Sequence, residues 1–162
     1  MQLFFLSYKS AFKIRTALND WHELIGTNLI MGQMMDLREN IEELINIKVE
    51  VNNTNIILYK TCSIFMFTFI LWGIFSNDKN INIEDYKMMG YYFGLMYQIM
   101  DDSRDILTDV KEVNIVLSKG KCGAHSLYLN SKSKLLDLLK KNNLITHEFM
   151  DMIEGIDKML EL

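Results

Sequence analysis

The residues best equipped for chemistry lie in one run, Gln98-Ile99-Met100-Asp101-Asp102-Ser103-Arg104-Asp105. On a helix, at about 100° per residue, Asp101 and Asp105 stack one turn apart, with Gln98 one and two turns before them on the same side. The three carboxylates Asp101, Asp102 and Asp105 are expected to converge. Such a cluster repels itself unless a cation resolves it, and hard oxygen donors suit Mg²⁺ shared with substrate phosphates. The plain alternative is a solvated acidic face at a helix end. The preceding Tyr91-Tyr92-Phe93-Gly94-Leu95-Met96-Tyr97 is strongly apolar, which favours burial and hence the metal and phosphate reading.

Two other metals compete for nearby residues. Asp101, Ser103, Asp105, Asp109 and Glu112 fall on the ligand positions of a calcium-binding loop, but Ile106 stands where that loop needs glycine for its sharp turn. For zinc, Cys122 and His125 are suitably spaced, yet no second pair completes four ligands, and His22 and His147 read as ordinary surface or core histidines.

These residues must be held by helices. The chain has no proline in 162 residues, so nothing forces a helix to break. A helical pattern runs from a cap at Asn19 through Leu24, Leu29, Met35, Ile41 and Ile47 to the polar cluster Asn52-Asn53-Thr54-Asn55. A second helix is predicted from about Ile56 to Phe75, then a loop over 76–80, then a third helix from Ile83 to about Asp109. Ser118 to Gly123, with two glycines, reads as a turn. Shorter helices follow over about His125–Lys141 and Thr146–Leu160, divided by Asn142-Asn143. Short loops between long helices predict an all-α, antiparallel helical bundle, and the absence of linkers and repeats predicts one domain over 1–162.

Composition narrows the function classes. Hydrophobic residues make up 49% of the chain, which excludes disorder, and a net charge of −4 with only Arg15, Arg38 and Arg104 as arginines argues against nucleic-acid binding. Two cysteines, Cys62 and Cys122, cannot frame a disulfide scaffold and fit a reducing compartment, so a cytoplasmic location is expected. The N-terminus has no basic region ahead of its apolar start and does not read as a signal peptide. Between Lys60 and Asp78 lie 17 uncharged residues, short of a usual membrane span and interrupted by polar side chains, so a buried core helix and no transmembrane span are expected.

Taken in order, several motifs resemble the trans-polyprenyl diphosphate synthases of the isoprenoid synthase superfamily. Tyr97-Gln98 followed by Asp101-Asp102-Ser103-Arg104-Asp105 is similar to that family's second aspartate-rich motif. Gly32-Gln33-Met34-Met35-Asp36-Leu37 resembles its Gly-Gln-x-x-Asp-Leu element, and Tyr59-Lys60-Thr61 its Lys-Thr/Ser signature. Gly90 and Gly94 match its small residues where helices pack closely. The resemblance covers about Thr27 to the C-terminus.

The resemblance implies that an allylic prenyl diphosphate is ionised with Mg²⁺ on its pyrophosphate and attacked by isopentenyl diphosphate. Asp101, Asp102 and Asp105 would hold Mg²⁺, Lys60 would pair with the diphosphate, and Gln33, Asp36, Thr61 and Gln98 would line the reacting end of the allylic chain. Lys111 stands where a later diphosphate-binding lysine is sought. Each has a plainer reading: a helix-start charge for Lys60, a surface pair for Gln33 and Asp36, and for Thr61 a hydroxyl bonded to its own backbone. The family also carries a first aspartate-rich motif, and the 31 residues before Gly32 hold only Asp20 and Glu23 as acids. The chain thus looks like the C-terminal half of a synthase. It is expected to be a split or truncated enzyme working as a homo- or hetero-oligomer, weak or inactive alone, or else a non-catalytic helical subunit.

Overall fold

The computed structural model describes residues 18–36, 57–76, 81–107 and 114–160. Five helices account for nearly all of them, and no strand occurs among the described residues. Helix α1 comprises Leu18–Asp20, the π-helical stretch Trp21–Leu29 and Ile30–Asp36. Helix α2 opens with a π-helical turn, Leu58–Cys62, and continues as Ser63–Phe75. Helices α3, α4 and α5 are Ile83–Arg104, Ile115–Lys141 and His147–Met159.

Alternation of buried and exposed positions explains why these segments pair. The buried stripe of α2 is Cys62, Ser63, Met66, Phe67, Phe69, Ile70 and Gly73, a helical spacing that turns one broad face inward. By length and composition Leu58–Phe75 would suffice to cross a membrane. In the structure it packs against α1 and α3.

Helix α3 lies between α2 and α4. Its contact with α2 is set by glycine. A Cβ on Gly90 would sit 2.5 Å from the Met66 Cα, and one on Gly94 would sit 2.9 Å from the Cys62 Cα, so the two backbones approach where no side chain intervenes. Positions 94 and 90 meet 62 and 66 in turn, which makes α2 and α3 antiparallel. Helix α4 is antiparallel to α3 as well: Ile115 at its start is held by Asp102, and Lys141 at its end reaches Asp85, 2.7 Å away. Helix α5 closes the core through Phe149, which stacks on Trp72 and meets Phe69 and Phe93 edge-on.

Three boundaries differ from the sequence reading. Asn19 lies inside helical structure and does not begin it. Helix α3 stops at Arg104, not near Asp109, because the Asp102 carbonyl accepts from the Asn114 side-chain amide at 2.8 Å in place of the next helical N–H. The turn expected over 118–123 is present at Gly120, whose φ of 73° and ψ of 159° are not helical and kink α4 there, but α4 already begins at Ile115, ahead of it. Thr146 and Asn143 behave as expected, one capping α5 through the Phe149 N–H and the other turning the chain in the left-handed conformation. The expected helix beyond Asp36, the polar cluster at 52–55 and loop positions 77–80 lie outside the described residues.

Candidate functional site

The antiparallel order brings four chain segments to one end of the bundle: the end of α1, the start of α2, the end of α3 and the start of α4. At this end Gly32 meets α2 so closely that a Cβ would lie 2.3 Å from the Lys60 backbone nitrogen. The Gly32-Gln33 and Tyr59-Lys60-Thr61 motifs, separate in sequence, are thus pressed together. Lys60 and Thr61 belong to the π-helical turn of α2, where the widened ring re-aims side chains relative to a regular helix.

Thr61 makes the next link. Its hydroxyl donates to Gln98 Oε1 of α3 at 2.5 Å, so it does not behave as a helix hydroxyl tied to its own backbone. Neighbouring Ser63 and Thr68 do take that plainer role, donating to the Leu58 and Ile64 carbonyls. The Gln98 amide in turn donates to Asp102 Oδ1 at 2.6 Å. Asp102 Oδ2 accepts the Ile115 N–H at 2.6 Å, anchoring the start of α4. One polar chain therefore runs Thr61, Gln98, Asp102, Ile115 across three helices.

This geometry separates the three aspartates. Asp102 is buried, 3% exposed, and commits an oxygen to each of two internal donors. A carboxylate facing a helix N-terminus is favourably placed for the unpaired N–H groups and the positive dipole end there. The convergence expected of all three carboxylates is not what is found: Asp102 turns inward toward α4, Asp101 is half-buried, and Asp105 is exposed at the C-terminal boundary of α3, its N–H bonded to the Asp101 carbonyl. Among the described residues no three His, Cys, Asp or Glu side chains gather closely enough to hold a metal by themselves. The donor set still fits Mg²⁺ of the kind that uses one or two carboxylates and completes its shell with phosphate and water, through Asp101 and Asp105.

The remaining expected residues fall as follows. Lys60 and Gln98 are half-buried, and Gln33 is exposed. Asp36 ends α1, with its side chain outside the described residues, as is all of Lys111. Residues 101–104 are helical, which removes the calcium-loop reading, and Cys122 and His125 are exposed on α4 with no further ligand gathered to them among the described residues. Asn114 was missed. It caps α4 by accepting the Val116 and Leu117 N–H groups at 2.9 and 3.0 Å while its amide holds the Asp102 carbonyl. An asparagine immediately before Ile115-Val116-Leu117 is a helix-start signal, obscured by the two glycines that follow.

Fold and site together define an all-α protein that assembles amide, hydroxyl, ammonium and carboxylate groups at one end of its helices. A family model described as polyprenyl synthetase matches residues 2–154. The chain belongs to that family and is prenyltransferase-like. No curated protein and no solved structure matches it.

Proposed function

We propose that the chain binds an allylic prenyl diphosphate together with Mg²⁺ at the end of the bundle formed by Lys60, Thr61, Gln98, Asp101 and Asp105, and takes part in chain elongation with isopentenyl diphosphate. The observation that carries this reading is the meeting of three motifs distant in sequence: Gly32 seated on Lys60, and Thr61 bonded to Gln98 one turn before Asp101. A solvated acidic patch would need no such assembly.

In this reading Asp101 and Asp105 would hold Mg²⁺, which when bound would supply charge neutralisation to a pyrophosphate leaving group. The Lys60 ammonium adds a point charge to the same leaving group. Gln98, with its carbonyl oxygen held by Thr61 and its amide by Asp102, is fixed in orientation and presents a polar edge to the allylic end without rotating. Gln33 stands on α1 at the same end, and the family resemblance assigns Asp36 and Lys111 to the substrate as well. Asp102 serves by fixing α4. Ionisation of the donor requires carboxylates on both sides of the pyrophosphate. The second wall, the family's first aspartate-rich motif, is not among these 162 residues. A reducing, cytoplasmic setting suits the two free thiols, one of them buried with its ionisation pushed up to about 12 by burial.

Calorimetry of a short allylic diphosphate against the chain tests the reading. Binding is expected to require Mg²⁺ and to fall at least tenfold in Asp101→Ala; Mg²⁺-independent binding unchanged by that substitution contradicts it. Labelled isopentenyl diphosphate is expected to enter product only when a chain bearing the first aspartate-rich motif is added. Binding without turnover, even then, would favour the second reading, a non-catalytic partner subunit. Exposed Ile64 and Tyr97 beside this site, and Phe75 further along α2, support assembly with another chain, to be checked by sedimentation.

A further inference from the structure

Asn114 is fully buried, and the two ends of its side chain face different helices. Its Oδ1 accepts the Val116 and Leu117 N–H groups, the ordinary duty of a helix N-cap. Its amide contributes nothing to that cap. It points back to α3 and donates to the Asp102 carbonyl at 2.8 Å. The Asp102 side chain returns the contact, its Oδ2 accepting the Ile115 N–H at 2.6 Å. Residue 102 of α3 and residues 114 and 115 of α4 are thus joined by two buried hydrogen bonds, one donated by side chain to backbone and one by backbone to side chain.

This ring holds the last turn of α3. A helix end leaves its final carbonyls without helical partners, and it frays unless something else takes them. Here the Met100 carbonyl accepts the Ser103 hydroxyl at 2.7 Å, the Asp101 carbonyl accepts the Asp105 N–H at 3.3 Å, and the Asp102 carbonyl accepts Asn114. The two carboxylates assigned to Mg²⁺ flank the residue so anchored. Asp101 lies just before it on the helix, and Asp105 lies at the boundary, where φ −96° and ψ 15° already leave the helical conformation. The end of α3 that carries Asp105 is therefore tied to α4 through Asn114, in place of a further turn of its own helix.

We propose that Asn114 is a positioning residue for the metal-binding pair: its amide pins the end of α3 and so holds Asp105 in reach of the cation that Asp101 also meets. The proposal rests on the diphosphate reading above and adds to it a residue outside the aspartate-rich run. Capping α4 alone would need only an acceptor, which serine or aspartate supplies about as well as asparagine. Two substitutions therefore keep the cap and remove the amide. Asn114→Ser is neutral. Asn114→Asp keeps the size of the side chain, and its added negative charge would by itself favour Mg²⁺, the opposite sign to a loss of position.

Calorimetry of a short allylic diphosphate at graded Mg²⁺ gives the Mg²⁺ concentration needed for half of full binding. Asn114→Ser is expected to raise it about tenfold, the usual cost of losing an outer partner of a metal ligand, and Asn114→Asp to raise it as well. In an Asp105→Asn background Asn114→Ser is expected to bring no further change, because a residue that acts through Asp105 then has nothing left to position. Amide hydrogen exchange on the metal-free chain gives a reading independent of any ligand: faster exchange at Asp105, with Val116 and Leu117 still protected. Should the smaller serine unfold the chain, aspartate carries the test. A Mg²⁺ requirement unchanged or lowered in the folded variants overturns the proposal, and so does a full further loss in the Asp105→Asn background. Exchange that rises equally at Asp105, Val116 and Leu117 overturns it too, by showing that the amide serves the cap. If the unsubstituted chain binds no diphosphate with Mg²⁺, the diphosphate reading falls and the proposal with it. Binding that Asp101→Ala weakens and the Asn114 variants do not sinks the proposal alone.

Discussion

Helix α3 is held on its two sides by different physics. Against α2 the contact is steric: Gly90 and Gly94 admit the Met66 and Cys62 backbones, and Gly73 of α2 admits the Tyr86 ring, 2.9 Å from where a Cβ would be. Against α4 the contact is clasped at both ends by polar groups, Asp102 with Ile115 and Asn114 at one and Asp85 with Lys141 and Asn142 at the other. The steric seam has no tolerance for added atoms and little dependence on pH. The clasped seam tolerates changes of shape but registers the loss of any partner or charge. The motifs that define the candidate site lie along the first seam, while the group that fixes their neighbour α4 belongs to the second.

The largest expected effect is at the steric seam. Gly90→Ala gains about 1 kcal/mol of helix propensity but must push the α2 and α3 backbones apart, so a net loss of roughly 2 kcal/mol or more is expected in urea unfolding. Gly155→Ala on α5, where a Cβ meets nothing within 4 Å, is the matched control and should stabilise by up to about 1 kcal/mol. Equal behaviour of these variants would show that the seam opens without cost.

Next comes the clasp at Asp102. Asp102→Ala strands the Ile115 N–H and the Gln98 amide, each worth about 1–3 kcal/mol when buried without a partner. Asp102→Asn should cost far less, because rotation of the Gln98 amide lets that side chain accept from Asn and donate to the Thr61 oxygen. If the Asn variant is as unstable as the Ala variant, the carboxylate charge matters more than its two acceptor positions.

Gly90 and Gly94 were recognisable in the sequence as small residues at a close helix contact, and the order of the motifs announced both the all-α fold and the residues to examine. The inward turn of Asp102 was not recognisable. Helical spacing fixes the angle of a side chain about its own axis, but the partner of Asp102 is the start of a helix at Ile115, after a segment whose length gives no register. The expected turn over 118–123 was right at Gly120, whose non-helical backbone kinks the chain, but it hid the helical residues from Ile115 onward that precede the kink. The motifs put Thr61 and Gln98 at one site, but the hydrogen bond between them was not legible, because it depends on how α2 and α3 pack.

At the far clasp a pH dependence is expected. The hydrogen bond from Lys141, with help from Asn142, holds the Asp85 carboxyl below its ordinary range against the opposing effect of burial. Its contribution is therefore complete above the unfolded value, about 3.9, and is lost as pH falls through the lower folded value. Asp85→Asn should lower stability at neutral pH, with the difference closing below about pH 4. A constant difference from pH 7 to pH 3 would place the effect in packing. The smallest effect belongs to Lys134, 5.4 Å from the Tyr92 ring centre: Lys134→Ala should cost about 0.5–1 kcal/mol, read from paired denaturation curves with Tyr92→Leu.

The bend in α4 has a consequence for chirality. At φ 73° and ψ 159° Gly120 occupies backbone space that is the mirror image of an extended L-residue, yet nothing stands within 4 Å of where an L-type Cβ would go. The penalty for replacing it thus comes from handedness and not from crowding. Alanine, leucine and lysine should be penalised nearly alike at this position. A D-amino acid introduced by chemical synthesis should fit the kink and, by narrowing the conformations open to the unfolded chain, make α4 more stable than glycine does.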